Sequence, residues 1–294
     1  MRRYPYVHVD VFTRSRFGGN QLAVFTDGQG LSDAEMQSIA REMNFAETTF
    51  VLPPAANDAK VRIFTTVMEL QFAGHPTVGT AWVLGRASDR TSVTLELGVG
   101  PIAVSVDAGD GTTGSATMEQ PLPTFEEPDL SRLEVAALLG LEPGDLGDYA
   151  PVEIGSAGTA FLLVPLGSMD EVERASGHTR ELAEAFEDKP PFHGVYCFAL
   201  GGVDEDASAH VRMFHPGPGG SVQEDPATGS AAGPFGAYLV RHGLTPPGSM
   251  LLEQGFEIGR PSQLNAMVDT AGEEITRVRV GGGVVLVANG EMIV

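Results

Sequence analysis

The chain has 294 residues, of which 42% are hydrophobic and 19% charged, and its formal net charge is −21. This composition is typical of a globular protein and excludes a disordered chain. The negative charge argues against a nucleic acid or an anionic membrane as a partner. A single cysteine, Cys197, excludes an intrachain disulfide. Because the N-terminus also lacks the apolar run of a signal peptide, we expect a cytoplasmic protein.

The beginning of the chain predicts mixed α and β structure. Strands are expected over residues 6–12 and 21–25, around a turn at Gly18-Gly19-Asn20. The run Ser32-Asp33-Ala34-Glu35 is a capping box, and it opens a helix whose apolar residues recur at i, i+3, i+4 and i+7. Glu47 stands at the junction between this helix and the next predicted strand.

A second helix is predicted to begin at Gly74-His75-Pro76 and to end near Gly85, a residue typical of helix C-caps. Between these ends it carries almost no charge. A helix that is apolar all round is expected to be buried. Three strands with glycine-rich turns should follow over residues 92–118.

The Pro-rich segment 120–128 lacks periodicity and predicts a linker. It divides the chain into one domain over residues 1–119 and a second over residues 129–294, whose C-terminal strand can pack back on the first. Each domain is expected to be a mainly antiparallel β-barrel or roll around one apolar helix, which is an α+β fold.

In the second domain, the counterpart helix is predicted to open at Asp225-Pro226 and to end at Gly243. Pro234, inside it, is a candidate kink. The tail is predicted to be a β-meander, with turns at Gly281-Gly282-Gly283 and at Asn289-Gly290.

The two halves repeat one another faintly, at an offset of 150 residues without a gap. Val61-Arg62-Ile63-Phe64 returns as Val211-Arg212-Met213-Phe214, and the stretch that begins at His75 returns as the stretch that begins at Asp225. We expect halves related by a pseudo-twofold axis, with equivalent loops facing a cleft. The repeat aligns His75 with Asp225, and that difference marks both residues as candidates for chemistry.

Glu47, His75 and Asp225 are the candidates for acid–base or binding chemistry. Apolar neighbours would raise the pKa of Glu47 and suit it to proton transfer near neutrality. Each residue also has an ordinary interpretation, as a solvated carboxylate, a structural histidine and a helix N-cap, respectively. Two helix N-termini that point into one cleft would bind a small anion despite the net charge.

Several sequence blocks carry a family resemblance, and they cover nearly the whole chain. Among them are Gly19-Asn20, Glu47-Thr48-Thr49-Phe50-Val51, Phe72-Ala73-Gly74-His75-Pro76 and Glu224-Asp225-Pro226-Ala227-Thr228-Gly229-Ser230. They resemble the PhzF family of phenazine-biosynthesis-like proteins. The resemblance implies the fold of diaminopimelate epimerase, with an active site between two barrel-like halves. It disfavours a two-thiol racemase, because Cys197 is not at a helix start.

By this resemblance the chain is an isomerase that requires neither a cofactor nor a metal. The family's type enzyme moves a hydrogen between ring carbons of trans-2,3-dihydro-3-hydroxyanthranilate. Glu47 would carry the proton, while His75 and Asp225 would orient or polarise the amino and hydroxyl side. The substrate carboxylate would be held by Gly74, Gly229 and Ser230. The resemblance also implies a small carboxylate as the partner molecule and a homodimer as the assembly.

Two other functions stay open. An epimerase or racemase with non-thiol acid–base groups would exchange the α-hydrogen of a chiral amino acid. A non-catalytic carboxylate-binding protein would be stabilised by its ligand without turnover. The complete set of Glu47, His75 and Asp225 favours an enzyme over a binding protein.

Overall fold

The computed structural model describes residues 1–294, apart from the side chain of Pro218. Over these residues the chain forms seventeen strands and six α-helices, which confirms the α+β class. It divides into two compact units. Unit 1 comprises Met1–Glu119 with Val280–Val294, and unit 2 comprises Gln120–Arg279.

Unit 1 is a closed barrel around one helix. Its helices are α1 (Asp33–Met43) and α2 (Gly74–Ser88), and its strands are β1 (Arg3–Val11), β2 (Asn20–Phe25), β3 (Glu47–Leu52), β4 (Ala59–Phe64), β5 (Glu69–Leu70), β6 (Ser92–Leu97), β7 (Gly100–Asp107), β8 (Thr113–Gln120) and the later part of β17 (Glu274–Ile293). The pairing runs β1–β2–β3–β4–β6–β7–β8–β17 and returns to β1. Only β2–β3 and β4–β6 are parallel pairs among those with a described register.

Helix α2 is buried along most of its length, as predicted, and Val78, Ala81 and Trp82 are fully inaccessible. A Cβ atom on Gly79 would lie 2.6 Å from a methyl carbon of Leu22, so the glycine lets the barrel wall approach the helix. The helix ends at Ser88 and not near Gly85. Gly85 serves packing instead, because a Cβ atom there would lie 2.9 Å from Val106 Cγ1.

Unit 2 is likewise a mainly antiparallel sheet with a buried helix. Its helices are α3 (Arg132–Leu138), α4 (Met169–Arg174), α5 (Arg180–Glu187) and α6 (Gly229–Arg241), and its strands are β9 (Thr124–Glu126), β10 (Glu153–Ser156), β11 (Ala160–Pro165), β12 (Gly194–Leu200), β13 (Ala207–Pro216), β14 (Val222–Asp225), β15 (Gly248–Gln254), β16 (Ser262–Ala271) and the start of β17. Strand β9, within the segment expected to be a linker, pairs with β10. Pro234 lies inside α6.

The prediction that α6 opens at Asp225-Pro226 was wrong, since the helix begins at Gly229 with Thr228 as its N-cap. Asp225 is the last residue of β14 and pairs with Met213 of β13. Ladder pairing therefore holds Asp225 extended, and the chain turns into the helix only after it.

The internal repeat exists in both units, but its offset changes along the chain. In unit 1, Arg62 donates through Nε and Nη2 to both carboxylate oxygens of Glu69, at 2.7 and 2.6 Å. In unit 2, Arg212 donates in the same way to Glu224, at 2.9 and 2.7 Å. The arginines are 150 positions apart and the glutamates 155, so the second hairpin contains five more residues.

The two central helices follow the longer offset. Helix α2 begins at Gly74 and α6 at Gly229, which makes His75 and Ser230 the second residue of each helix. The ungapped alignment of His75 with Asp225 was therefore wrong. Asp225 pairs with Met213, and Leu70 pairs with Ile63. Because Met213 and Ile63 occupy the same position in the two repeats, the structural counterpart of Asp225 is Leu70.

The prediction of a meander in the tail was also wrong, because β17 is one continuous strand of 20 residues. Gly281-Gly282-Gly283 lies within it and makes no turn. A Cβ atom on Gly281 would lie 2.6 Å from the Ala116 carbonyl oxygen, and one on Gly283 would collide with the Thr13 carbonyl oxygen. These glycines are required by close backbone approach.

Candidate active site

Glu47 is the first residue of β3 and pairs with Leu22 of β2. Its side chain lies on the same face as that of Thr49, two residues on, whose hydroxyl oxygen is 2.9 Å from that of Thr80 in α2. Glu47 therefore points towards the central helix of unit 1. Its side chain is 16% exposed, so a small molecule can reach it although it is largely desolvated.

The loop before Glu47 is anchored at both ends. Asn44 ends α1 in the left-handed conformation and donates its N–H to the Ala40 carbonyl. Phe45 packs its ring against His8 of β1, with centroids 4.7 Å apart. The capped helix and the aromatic contact together fix where β3, and so Glu47, begins.

His75 meets Glu47 at the start of α2. Its Nε2 atom lies 3.3 Å from Glu47 Oε2, and its side chain is only 5% exposed. The imidazole also donates a hydrogen bond to the backbone carbonyl of Gln21. Nε2 itself makes no well-aligned hydrogen bond, so the donor to this carbonyl is Nδ1.

Burial lowers the pKa of His75 to about 3, and the Gln21 carbonyl offsets this only in part. The ring is therefore neutral at physiological pH. Because Nδ1 carries the proton, Nε2 presents a lone pair towards the Glu47 carboxyl group. That contact is favourable when Oε2 carries a proton, so one proton can be held between the two atoms.

The corresponding place in unit 2 has no carboxyl group. Gly194 opens β12 and pairs in parallel with Phe161, as Glu47 opens β3 and pairs in parallel with Leu22. A Cβ atom on Gly194 would lie 2.8 Å from the Phe214 carbonyl oxygen. The pairing of a carboxyl group with a histidine at this place is therefore found in unit 1 and not in unit 2.

Asp225, in unit 2, lies before the first turn of α6. Its Oδ2 atom accepts a hydrogen bond of 2.6 Å from the hydroxyl of Thr228. The interpretation of Asp225 as the helix N-cap was wrong, because Thr228 occupies the N-cap position. The carboxylate is thus part of a polar turn and is not used to terminate the helix.

The remaining candidates lie at the two helix starts. Gly74 and Gly229 are buried first residues, and Ser230 is a half-buried second residue. The carbonyl of Gly229 accepts a 2.9 Å hydrogen bond from the side chain of Gln120. Backbone N–H groups at a helix start are suited to binding a carboxylate.

Three residues that bond to the candidate site residues were missed in the sequence. Gln21 bonds to His75, and Thr228 and Gln254 bond to Asp225. Gln21 acts through its backbone carbonyl, for which side-chain identity gives no signal. Thr228 is a favoured N-cap residue one position before a helix, which is a recognisable signal. Gln254 lies 26 residues beyond Thr228, and only the fold brings the two together.

Cys197 is a core residue. It is fully buried, and its thiol points to the Arg212 carbonyl oxygen, 3.7 Å away. Burial raises its pKa to about 12, which leaves no reactive thiolate.

Among the described residues, no three or more His, Cys, Asp or Glu side chains form a group that could hold a metal ion. The described helices include none that is long and apolar enough to span a membrane.

Comparison with known proteins gives a consistent result. The profile of the phenazine biosynthesis-like proteins (PhzC-PhzF) matches residues 9–290. A trans-2,3-dihydro-3-hydroxyanthranilate isomerase from Pseudomonas aeruginosa is 40% identical over 290 residues, which is 98% of each chain. A PhzF family protein from Bacillus anthracis has a TM-score of 0.88 at 29% identity, with both chains fully covered. A predicted epimerase from P. aeruginosa has a TM-score of 0.84 at 34% identity and 99% coverage of each chain.

The fold and these relatives define an isomerase built from two α+β units. More particularly, the chain belongs to the phenazine biosynthesis-like (PhzF) family, as its sequence blocks predicted.

Proposed function

We propose that this isomerase moves a proton within a small cyclic amino- or hydroxy-carboxylate such as trans-2,3-dihydro-3-hydroxyanthranilate, with Glu47 as the acid–base group. The observation that carries the proposal is the 3.3 Å approach of His75 Nε2 to Glu47 Oε2 in a largely desolvated setting. The 40% identical isomerase from P. aeruginosa supports the choice of substrate.

In the proposed reaction, the Glu47 carboxylate removes a proton from one carbon and returns it to another. The electron pair of the broken C–H bond shifts through the ring, and the new C–H bond forms with the proton on the Glu47 carboxyl group, which can exchange with solvent before it is delivered. No electron leaves the substrate, so the step requires neither an oxidant nor a redox cofactor. We propose that no metal takes part either.

His75 would support both halves of this cycle. When Glu47 carries the proton, the Nε2 lone pair can accept a hydrogen bond from it and hold it until it is returned. The long, poorly aligned contact is compatible with this role, because catalytic hydrogen bonds often tighten only when substrate is bound. The hydrogen bond from Nδ1 to Gln21 keeps the ring in the required tautomer.

Asp225 would accept a hydrogen bond from the substrate's amino or hydroxyl group. The substrate carboxylate would be bound by Gly74, Gly229 and Ser230. The positions of the two glycines as first residues of buried helices support this assignment, because such residues offer backbone N–H groups.

The experiment is turnover of trans-2,3-dihydro-3-hydroxyanthranilate in D₂O, followed by ultraviolet absorbance and proton NMR. We expect substrate loss with deuterium entering the ring. Glu47→Gln should lower kcat by at least about 10²-fold, the usual contribution of a general acid–base group. Glu42→Gln, which changes an exposed glutamate of α1, is the matched control and should keep full activity. Unchanged turnover in folded Glu47→Gln would eliminate Glu47 as the proton carrier.

A second candidate function is epimerisation of an amino acid, which the 34% identical predicted epimerase favours. It requires exchange of the α-hydrogen of a chiral amino acid. A panel of L-amino acids in D₂O, read by loss of the α-proton signal, distinguishes the two activities. Exchange there, without turnover of the cyclic substrate, would select the epimerase.

We also propose that the protein is a cytoplasmic homodimer, as the family resemblance implies. Sedimentation of the purified chain at several concentrations tests the assembly. A species with the mass of one chain at all concentrations would rule out the dimer.

A further inference from the structure

Gln254 makes three hydrogen bonds around the turn that carries Asp225. The side chain is fully buried at the end of β15. Its Nε2 donates to the Asp225 carbonyl at 2.7 Å and to Thr228 Oγ1 at 2.9 Å. Its Oε1 accepts from the Thr228 backbone N–H at 3.0 Å.

These partners fix the direction of every hydrogen bond. A carbonyl only accepts and a backbone N–H only donates, so the Gln254 amide can adopt a single orientation. Its second N–H then occupies a lone pair of Thr228 Oγ1. The Thr228 hydroxyl hydrogen therefore points to Asp225 Oδ2, 2.6 Å away.

Thr228 gives up its usual task in this arrangement. A threonine at the N-cap normally accepts a hydrogen bond from the second or third N–H of the helix. Here the side chain makes no such bond. The hydroxyl is committed to Asp225, which a purely structural cap would not require.

We propose that Gln254 and Thr228 are positioning residues that hold Asp225 as a hydrogen-bond acceptor and so select substrates that present an N–H or O–H donor. The inference rests on the proposed function of Asp225 and defines the chemical class it recognises. A substrate whose corresponding group can only accept, such as a ketone, would be bound poorly.

The ionisable groups near Asp225 and Gln254 stay neutral or are bound to other partners. Tyr196 lies in the same row of the sheet, across Met213. Burial first, and then the Asp225 charge, raise the pKa of Tyr196, so its hydroxyl stays neutral. Glu224, the preceding residue, is bound by both arms of Arg212. Glu253, which precedes Gln254, is bound to His210.

The test measures Asp225 directly, with ¹³C-labelled aspartate carboxyl groups and an NMR pH titration. Asp225→Asn assigns the signal. In Thr228→Val, which keeps the shape of the side chain and removes the hydroxyl, the titration midpoint should rise by about one pH unit. Thr228→Ser, which keeps the hydroxyl, should restore the wild-type midpoint. A folded Thr228→Val protein with an unshifted midpoint would overturn the inference.

The same variants are then compared in turnover of trans-2,3-dihydro-3-hydroxyanthranilate. Thr228→Val should lower kcat/KM by about 10-fold or more, and Thr228→Ser should not. An unchanged kcat/KM with a shifted midpoint would overturn the role in substrate selection. If the wild-type protein does not turn this substrate over, the proposed function fails, whereas the NMR titration still decides the state of Asp225.

Discussion

The imidazole of His75 and the carboxyl group of Glu47 form a desolvated pair, with Nε2 and Oε2 3.3 Å apart, that joins the start of α2 to the start of β3. The two elements that carry the pair are held firmly, since β3 belongs to a closed barrel and α2 fills that barrel. A pair positioned by such elements keeps its geometry better than one carried on loops. The pair is therefore where small changes of length and charge should have their largest effects.

Shortening the carboxylate should lower the rate more than it weakens binding. Glu47→Asp keeps the charge and withdraws the oxygens by one methylene group, roughly 1.5 Å. A misplacement of about 1 Å can cost about 10²-fold in rate, so we expect kcat to fall by that factor while KM changes little. Steady-state kinetics with Glu42→Asp as control checks this. A large rise in KM with unchanged kcat would assign Glu47 to binding.

His75 should make the protein sensitive to acid. Burial lowers its pKa to about 3, below the 6.5 of an unperturbed histidine. Between these two values, His75 binds a proton in the unfolded chain but not in the folded chain. The stability tied to this group is complete above pH 6.5 and is lost as the pH falls towards 3. The expected slope is about 1.4 kcal/mol per pH unit in the free energy of unfolding.

Replacing this histidine with a neutral amide should remove that slope. In His75→Gln the free energy of unfolding should fall less steeply between pH 6.5 and 4 than in the wild type. Urea unfolding at a series of pH values gives the difference. His178→Gln, at an exposed position, should keep the wild-type slope. Equal slopes in all three proteins would show that His75 is not buried in its neutral form.

A second histidine should act in the opposite direction. His210 in unit 2 is buried between Glu253 and Glu257, at 2.9 and 2.8 Å. Burial would lower its pKa, but the two carboxylates raise it overall. Its stabilisation is therefore complete below pH 6.5 and is lost as the pH rises through the raised value. Glu257 has the opposite pH dependence. Burial would raise its pKa, but His210 lowers it overall. The contribution of Glu257 to stability is therefore lost as the pH falls through the lowered value.

Replacing His210 should leave the buried carboxylate of Glu253 without its positively charged partner. Glu253 is fully buried, and its remaining partners are the backbone N–H groups of Val203 and Asp204. We expect His210→Gln to lower the free energy of unfolding by about 3–5 kcal/mol at pH 6. The loss should be smaller at pH 9. Urea unfolding at both values, beside His178→Gln, gives the comparison, and a loss independent of pH would show that His210 is uncharged.

Much of the fold could be predicted from periodicity and capping. The capping box at Ser32, the apolar helix after Gly74 and the strands over residues 92–118 are all present. The repeat was recognisable because Arg62 and Arg212 occupy equivalent positions. The five additional residues of the second hairpin were not, because an ungapped match gives no sign of where it ceases to apply. As a result Asp225 was aligned with His75, whose structural counterpart is Ser230.

The candidate site was predictable only where the sequence is locally distinctive. Glu47 and His75 belong to separate blocks, and their contact depends on how the barrel closes around α2. Gln254 reaches Thr228 across the fold, and no local pattern in β15 indicates it. Glycine was the other source of error, since it serves turns and close backbone approach equally well.

Gly281 allows a direct test of that distinction. It lies inside β17 with a backbone that an L-residue can adopt, so any cost of a side chain is steric. A Cβ atom there would lie 2.6 Å from the Ala116 carbonyl oxygen and closer still to the Thr117 hydroxyl. We therefore expect Gly281→Ala to lower the free energy of unfolding by about 1–3 kcal/mol, as overpacking usually does.

Gly144 is the matched control, because a Cβ atom there meets no atom within 4 Å and its φ is not positive. Gly144→Ala should leave stability unchanged or raise it by about 0.4–1 kcal/mol, through the lower entropy of the unfolded chain. Urea unfolding midpoints of the two variants make the comparison. If Gly281→Ala were as stable as Gly144→Ala, the tail would have room at this position, and β17 would not approach β8 as closely as its backbone indicates.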